Sequence, residues 1–342
     1  MAEPAVTDRE PVLEVRDLRT YFYQDGRVNR AIDGVSLALY PGRVLGIVGE
    51  SGCGKSVTAS SVMRLLPDLA RIESGEILYR NHGKTVNIAS YPSGSDEMRA
   101  IRGSEIAMIF QDPIVSLNPV YTVGWQIMEM LRLHRSLTRA QARTRAIELL
   151  AEMGIPSPEI RVDEFPHQFS GGMRQRAMIA MAMACEPRVL IADEPTTALD
   201  VTIQAQVFEL IDRLRRDRDM ATMLITHDMG VITEMADDVA VMYMGKVVET
   251  GTVADVLASP RHPYTRALLA SMPILGRGRR QQLSPIRGAT PDAYNRPPGC
   301  QFAPRCDSAM PGCVQQPPVT QLSATHDVSC WLYPSTEGND DD

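Results

Sequence analysis

The chain has 342 residues, of which 44% are hydrophobic and 23% charged, a composition typical of a globular protein of about two domains rather than of a disordered or fibrous one. Its formal net charge of -7 argues against nucleic acid or an anionic membrane surface as the main partner, because both attract basic proteins. The sequence has no run of 18 apolar residues, so no membrane span is predicted. Residues 1–14 contain several acidic side chains and lack the apolar core of a secretory signal. We therefore expect a cytoplasmic protein that reaches a membrane only through a partner.

The N-terminal region predicts two antiparallel strands followed by a buried strand. Residues 1–11 are rich in proline and acidic side chains, and we expect them to be disordered. Val12–Phe22 and Ala31–Leu39 partly alternate apolar and polar residues, and Asp25-Gly26 between them is a turn signal. Val44–Val48 is short, mostly apolar and followed by a glycine, which predicts a buried strand.

A glycine-rich loop follows this buried strand. Gly49–Ser56 (GESGCGKS) matches the P-loop pattern G-x-x-x-x-G-K-[ST] at every fixed position, and a helix is predicted from about Lys55 to Leu66. Glycines let backbone N–H groups approach phosphate oxygens, and the helix adds its N-terminal dipole. Lys55 would reach the β- and γ-phosphates and Ser56 would ligate Mg²⁺, whereas Cys53 is a small residue at a variable position. The strand before the loop and the helix after it favour a P-loop over a chance glycine-rich turn.

The middle of the chain predicts an inserted helical subdomain, at about residues 112–185. Within it, Thr138-Arg139-Ala140-Gln141 is a capping box that opens a helix with an apolar face from Ala142 to Met153. Gly154 and Pro156 end that helix.

A second candidate anion cradle lies near the end of this subdomain, at Ser170-Gly171-Gly172-Met173. A serine that opens a helix offers its hydroxyl, and the glycine amides behind it lie at the positive end of the helix dipole. Alone, this segment predicts only a phosphate site.

Polar residues follow further buried strands. Val189–Ala192 leads directly into Asp193-Glu194, where one carboxylate can hold Mg²⁺ through water and the other can polarise an attacking water. Thr222–Thr226 leads into His227, whose imidazole can hydrogen-bond a γ-phosphate, and Gln111 lies at another strand-to-loop transition. Taken singly, paired acids are common in solvated loops and a lone histidine is more often structural. Strands that alternate with helices predict a mainly parallel sheet covered on both faces.

The composition changes beyond about residue 255, where proline and arginine increase and periodicity fades, so we place a domain boundary there. Cys300, Cys306, Cys313 and Cys330 are spaced C-x5-C-x6-C-x16-C, which fits neither the usual zinc nor the bacterial ferredoxin template. In a reducing compartment such a cluster points to a metal more readily than to disulfides, with unligated thiols as the alternative. His326 is near enough in sequence to act as a substitute ligand, although we predict it to lie in a loop.

Residues 12–255 closely resemble the ABC-type ATPases. The motifs occur in the order and approximate spacing of that family: Lys55, Gln111, Ser170-Gly171-Gly172, Asp193-Glu194, Asp200 and His227. The resemblance implies an α/β fold, the P-loop NTPase fold of an ABC nucleotide-binding domain, with a mainly parallel sheet core, an antiparallel β subdomain and the inserted helical subdomain. It implies that ATP and Mg²⁺ are bound between the P-loop of one subunit and the signature segment of another, here Ser170, Gly171, Gly172 and Met173.

The same resemblance implies roles for single residues. Glu194 would be the general base, His227 the γ-phosphate sensor, and Asp200 part of the D-loop. Ser56, Gln111 and Asp193 would contact Mg²⁺. Phe22 is the best match for the aromatic that stacks on adenine, with Tyr21 and Tyr23 as alternatives. The full predicted P-loop contact set is Gly49, Glu50, Ser51, Gly52, Cys53, Gly54, Lys55, Ser56 and Val57.

Three further segments resemble the ATPase subunits of the oligopeptide/dipeptide (and nickel) importer family: Phe110–Pro119, Arg261–Thr265 with the apolar helix pattern at 267–272, and Gly299–Cys306. This resemblance implies ATP-driven peptide uptake with two membrane-spanning permease subunits, an extracytoplasmic solute-binding protein and a second ATPase, identical or homologous. It also implies peripheral attachment to the cytoplasmic face of the inner membrane. For the C-terminal region, residues 256–334, it implies a [4Fe–4S] cluster on the four cysteines, with zinc as the alternative, before an acidic tail at 335–342.

Two other functions stay open. The same machinery could import nickel or another small solute. A soluble ABC ATPase that acts on nucleic acid or ribosomes is the alternative from a different class; a single nucleotide cassette, the absence of a long coiled-coil insertion and the acidic net charge weigh against it.

Overall fold

The computed structural model describes residues 10–81, 83–112, 116–197, 199–271 and 285–333. The chain divides into two compact units. Unit 1 comprises Met1–Leu13, Leu39–Val44 and Tyr79–Ile225, and unit 2 comprises Glu14–Ala38, Leu45–Leu78 and Thr226–Asp342. Of the segments predicted from the sequence, residues 1–9, Met272 and the acidic tail at 335–342 lie outside the described residues.

The β-strands, in chain order, are β1 (Leu13–Gln24), β2 (Arg27–Leu39), β3 (Val44–Val48), β4 (Ala70–Asn81), β5 (Lys84–Asn87), β6 (Ile106–Ile109), β7 (Val189–Asp193), β8 (Ala221–Ile225), β9 (Asp238–Tyr243), β10 (Lys246–Thr252), β11 (Thr320–Ser323) and β12 (His326–Val328). The α-helices are α1 (Lys55–Val62), α2 (Asp96–Ile101), α3 (Val123–Arg135), α4 (Arg139–Glu152), α5 (Pro158–Arg161), α6 (Gly171–Met183), α7 (Val201–Arg218), α8 (Met229–Met235), α9 (Val253–Ala258) and α10 (Pro263–Ala270). Short 3₁₀ turns lie at Ile88–Ser90, Pro166–Gln168, Ala303–Arg305 and Pro311–Val314.

Unit 1 is built on the parallel strands β6, β7 and β8. Val189 of β7 pairs with Ile106 of β6 on one side and with Ala221 of β8 on the other. All residues of β7 and β8 are buried, as expected for parallel strands that are covered on both faces. Polar residues that follow β6 and β7 therefore lie at one edge of the sheet.

Helices α3, α4 and α6 pack around one apolar core in unit 1. The predicted capping box at the start of α4 is confirmed: the Thr138 hydroxyl accepts from the Gln141 amide, and the Gln141 side chain accepts from the Thr138 amide. Ala142, Ala146 and Leu149 of α4 are fully buried, so the face predicted from their helical spacing is the packed face.

Unit 2 combines parallel and antiparallel strands. Strand β3 pairs in parallel with β9, with Leu45 opposite Asp238, and β9, β10, β12 and β11 follow as antiparallel neighbours. Strands β1, β2 and β4 belong to a separate sheet, in which β1 lies between β2 and β4. Asp25 and Gly26 both have positive φ (51° and 73°), the geometry of a tight hairpin turn, which confirms the turn predicted between β1 and β2.

Two local predictions differ from the structure. Helix α1 ends at Val62 and not near Leu66, because Met63 caps it and Arg64 adopts a left-handed conformation (φ 53°) that cannot continue a helix. His326 is not a loop residue: it begins β12 and is buried, because the β-strand places its side chain on the inward face.

Candidate nucleotide-binding site

The P-loop in unit 2 adopts a backbone path that requires its glycines. Gly49 and Gly54 have φ values of 155° and 108°, and a Cβ at these positions would lie 2.2 Å from the Met242 carbonyl oxygen and 2.6 Å from that of Ala31. Any side chain would therefore collide with backbone atoms. The close approach leaves the loop wrapped around the start of α1, where the positive end of the helix dipole favours an anion.

Lys55 lies at the centre of this loop. Its side chain is buried, and its Nζ donates to the carbonyl oxygens of Gly49 at 2.8 Å and Glu50 at 3.1 Å. Burial raises the pKa of the neighbouring Cys53 thiol, which is therefore protonated at neutral pH. The remaining predicted contacts differ in exposure: Ser51, Gly52 and Ser56 are exposed, and Val57 is half-buried.

The predicted adenine contact, Phe22, lies on β1. Side chains alternate between the two faces of a strand, so Phe22 shares a face with Thr20, whose hydroxyl is hydrogen-bonded to Ser61 of α1 at 2.9 Å. Tyr21 and Tyr23 point to the opposite face, where their hydroxyls donate to carboxylates of β2 and β4. Of the three aromatics, Phe22 is therefore the one on the face that meets the P-loop helix.

His227 also belongs to unit 2. It is exposed and directly follows Thr226, whose amide donates to the carbonyl oxygen of Ile47 in β3 at 3.3 Å. Since β3 leads into the P-loop, this bond holds the residue before His227 at the P-loop strand.

The acidic strand end in unit 1 is held by specific hydrogen bonds. Asp193 is the buried last residue of β7. Glu194 has a positive φ of 46°, which is uncommon for a residue with a side chain. Its carboxylate accepts from Gln111 Nε2 at 2.9 Å and from Thr197 Oγ1 at 3.1 Å, and its amide donates to Ile225 of β8 at 2.8 Å. The structure thus brings together Gln111 and Glu194, which are 83 residues apart in the sequence.

The signature segment opens α6, also in unit 1. Ser170 is the N-cap, and its hydroxyl oxygen accepts from the Met173 amide at 3.3 Å. Ser170 and Gly171 are exposed, and a Cβ on Gly172 would lie 3.0 Å from Ile203 of α7. An exposed helix N-terminus with small residues in its first turn is able to bind an anion presented from outside the unit.

Asp200 is the N-cap of α7, and its carboxylate accepts from the Ile203 amide at 3.0 Å. Because Ile203 also lies against Gly172, the predicted D-loop and the signature are neighbours in the structure. Ala198, the second residue of the Thr197–Asp200 motif, lies outside the described residues.

Glu50 has contacts that the sequence did not predict. Its carboxylate forms a two-point ion pair with Arg305, at 2.7 Å and 3.0 Å, and its amide donates to the Tyr264 hydroxyl at 2.8 Å. Both partners come from the C-terminal region, more than 200 residues away, so no local pattern could have indicated them.

The four C-terminal cysteines line one pocket, together with residues that include His262 and Phe302, and all carry free thiols. Burial raises the pKa of the Cys300 thiol to about 11, and it also raises the pKa values of Cys306 and Cys330. These thiols are therefore protonated at neutral pH unless a ligand displaces the proton.

Within the described ranges, no three His, Cys, Asp or Glu side chains are arranged to hold a metal ion. The metal predicted on the four cysteines, a [4Fe–4S] cluster or zinc, thus finds no support there. His326 is not among the residues that line the pocket; its Nε2 is 2.8 Å from the Glu249 carboxylate, so it is a partner of Glu249 and not a substitute ligand.

None of the helices in the part of the chain that the structure describes is long and apolar enough to cross a membrane.

Comparison with known protein families gives two matches along the chain. Residues 32–197 match the family described as ABC transporter, and residues 248–313 match the one described as oligopeptide/dipeptide transporter, C-terminal region. The dipeptide transport ATP-binding protein DppD of Bacillus subtilis (strain 168) is 50% identical over 325 residues, which cover 94% of this chain and 95% of that protein. The oligopeptide transport ATP-binding protein OppD of the same strain is 51% identical over 323 residues, 94% of this chain and 88% of that protein.

Solved structures agree on the fold. The structure of cbiO1 from Clostridium perfringens, part of the ABC transporter complex cbiONQ, covers 73% of this chain and 92% of its own at 29% identity and a TM-score of 0.60. The dimeric structure of the bacterial ABC transporter cassette MJ0796 covers 70% of this chain and 98% of its own at 24% identity and a TM-score of 0.62. The predicted fold class, α/β with the ABC cassette architecture, is confirmed.

Proposed function

The chain belongs to the ABC transporter family of ATPases, and we propose that it is the ATP-hydrolysing subunit that powers uptake of di- or oligopeptides through a membrane importer. The observation that carries the proposal is the extent of the similarity. Identity of about half to dipeptide and oligopeptide transport ATP-binding proteins spans 94% of the chain, so it includes the C-terminal region as well as the ATPase motifs.

We propose that the site residues act as follows. Lys55 and the P-loop amides bind the β- and γ-phosphates, and Ser56, Gln111 and Asp193 contact Mg²⁺ directly or through water. Glu194 accepts the proton of the attacking water, for which the contacts from Gln111 and Thr197 orient it. His227 senses the γ-phosphate, and Phe22 stacks on adenine.

The assembly we propose has a second ATPase, identical or homologous, two permease subunits and an extracytoplasmic solute-binding protein. The exposed signature at Ser170–Met173 supports the second ATPase, because the bound γ-phosphate of a partner is a ligand of the required charge. In this assembly the protein lies on the cytoplasmic face of the inner membrane.

A surface of unit 1 supports contact with permeases. Tyr121 stacks on Trp125 of α3 with ring centroids 4.0 Å apart, Trp125 and Leu133 line one pocket, and Val120 and Leu133 are 70% exposed. Clustered exposed apolar side chains of this size commonly mark a protein interface.

Transport measured in cells would test the peptide proposal. Cells that lack this protein should lose uptake of a labelled dipeptide or oligopeptide, and the wild-type chain should restore it whereas Glu194→Gln should not. Glu97→Gln, which alters an exposed acid at the start of α2, is the matched control and should restore uptake. Normal peptide uptake in the deleted strain, with loss of nickel uptake, would assign the other solute. Co-purification with nucleic acid and with no permease would contradict an importer altogether.

We also propose that Cys300, Cys306, Cys313 and Cys330 hold a [4Fe–4S] cluster. One observation supports it: the four thiols line one pocket. Four cysteine thiolates are the ligands that such clusters take. When bound, the cluster would supply a redox-active centre that also joins the four segments.

Anaerobic purification followed by metal and sulfide analysis tests the cluster. We expect about four irons and a matching amount of sulfide per chain. Replacement of Cys306 by serine should lower both. One zinc per chain without sulfide, or no metal at all, would reject the cluster.

A further inference from the structure

The C-terminal region contacts the P-loop at Glu50. Both carboxylate oxygens of Glu50 pair with the guanidinium of Arg305, at 2.7 Å and 3.0 Å. The Arg305 side chain is only 4% exposed and that of Glu50 is 26% exposed. This is a two-point, partly buried ion pair, the geometry in which an arginine orients a carboxylate most strongly.

The surroundings of Arg305 keep its guanidinium in place. Its Nε donates to the Arg287 carbonyl oxygen at 2.9 Å, and its Nη1 lies 3.3 Å from the Tyr243 hydroxyl. The guanidinium carbon also lies 5.8 Å from the ring centres of Tyr243 and Phe302. Because these contacts do not involve Glu50, they hold the Arg305 guanidinium in the position where it pairs with the P-loop.

A second contact acts on the backbone of the P-loop. The hydroxyl oxygen of the fully buried Tyr264 accepts from the Glu50 amide at 2.8 Å. The Tyr264 ring packs on those of Tyr243 and Phe302, with centroids 4.6 Å and 5.4 Å away. The Glu50 carboxylate is held by Arg305 and the Glu50 amide by Tyr264. Both partners thus belong to or contact the same aromatic cluster of Tyr243, Tyr264 and Phe302.

The charge of Glu50 makes this arrangement relevant to the nucleotide. Its carbonyl oxygen accepts from Lys55 Nζ at 3.1 Å, which places Glu50 beside the lysine of the phosphate cradle. A carboxylate there repels a triphosphate, since like charges in a partly buried site are weakly screened. Arg305 pairs with both oxygens of that carboxylate and so neutralises its charge.

We propose that Arg305 and Tyr264 are positioning residues of the P-loop, which set its affinity for ATP by neutralising the Glu50 carboxylate and by fixing the Glu50 amide. The C-terminal region then contributes directly to nucleotide binding, although neither residue lies in an ATPase motif. Phe302 lines the four-cysteine pocket and packs on Tyr264, so the pocket adjoins this connection.

Titration of the purified full-length chain with Mg-ATP, by calorimetry, tests the proposal without any permease or peptide, so its outcome is independent of the transported solute. Arg305→Gln should weaken ATP binding about tenfold, within the usual range of coupling between two sites. Glu50→Gln in the same chain should restore the affinity to within about threefold of the wild type, because the repelling charge is then gone. Arg99→Gln, which removes the same charge from an exposed pair with Asp96, is the matched control and should bind normally.

A purely structural role for Arg305 predicts the opposite pattern in the double variant. If Arg305→Gln is folded but binds ATP as the wild type does, or if the added Glu50→Gln restores nothing, the charge argument is wrong. Tyr264→Phe removes one oxygen and keeps the ring, and it should weaken ATP binding several-fold; unchanged binding would overturn the role of Tyr264. Should Arg305→Gln fail to fold, Tyr264→Phe decides the proposal.

Discussion

Replacement of Glu194 by glutamine separates nucleotide binding from hydrolysis. The Glu194 carboxylate accepts two hydrogen bonds at one oxygen, Oε2, from Gln111 and Thr197. The amide oxygen of a glutamine can accept both bonds at the same place. The loop should therefore keep its geometry, and only the group that accepts a proton is lost.

The expected effect on the rate follows from that single loss. General-base catalysis contributes about 10²- to 10⁴-fold, so we expect the ATPase rate to fall by about this factor, or about 3–5 kcal/mol in the barrier. The affinity for ATP should change by less than about threefold, because Lys55 and the glycines of the P-loop are untouched.

The assay is phosphate release by the purified protein or its complex, with ATP affinity measured in parallel. Glu97→Gln should hydrolyse ATP at the wild-type rate. A Glu194→Gln variant that retains more than about half of the wild-type rate would refute the assignment of Glu194 as the base. A large loss of ATP affinity, on the other hand, would mean that Glu194 acts in binding.

Three other changes probe separate parts of the chain. Glu249→Gln should lower the free energy of unfolding by about 1.5–3 kcal/mol, because the buried carboxylate accepts from two backbone amides and one histidine, and a glutamine amide cannot accept from all three. Thermal unfolding measures this loss beside Arg287→Gln, for which less than about 1 kcal/mol is expected; equal losses would contradict it. Gly54→Ala should abolish measurable ATP binding, since the new Cβ meets a backbone oxygen at 2.6 Å, and normal binding in a titration would refute the close approach. Phe22→Ala should weaken ATP binding about tenfold or more through lost stacking, whereas Tyr23→Ala should not; the reverse order would assign adenine to Tyr23.

Sequence patterns predicted those parts of the site that are continuous in the chain. The hairpin at Asp25-Gly26, the capping box at Thr138 and the strand that feeds Gly49 depend on residues within a few positions of each other. Their physical causes are local: backbone conformation, a side chain that caps a helix, and the apolar run of a buried strand. Where the local signal was weaker, as at the end of α1 near Leu66, the predicted boundary was wrong.

Long-range contacts were outside the reach of such patterns. Arg305 sits in a segment that the sequence marked only for its cysteines, and His326 looked like a loop residue. The structure pairs Arg305 with Glu50, and His326 with a buried carboxylate of β10. Neither pair follows a period or a spacing, because each depends on how strands far apart in the chain come together.

By itself, the sequence determined that this protein binds and hydrolyses ATP, since a P-loop, a signature and an acidic strand end each carry their chemistry within a few adjacent residues. Only the tertiary structure decided that the C-terminal region reaches the P-loop, and that four cysteines spread over 31 positions line one pocket. The reason is physical: a motif is held by bonds along the chain, whereas a buried ion pair or a shared pocket exists only after the core has packed.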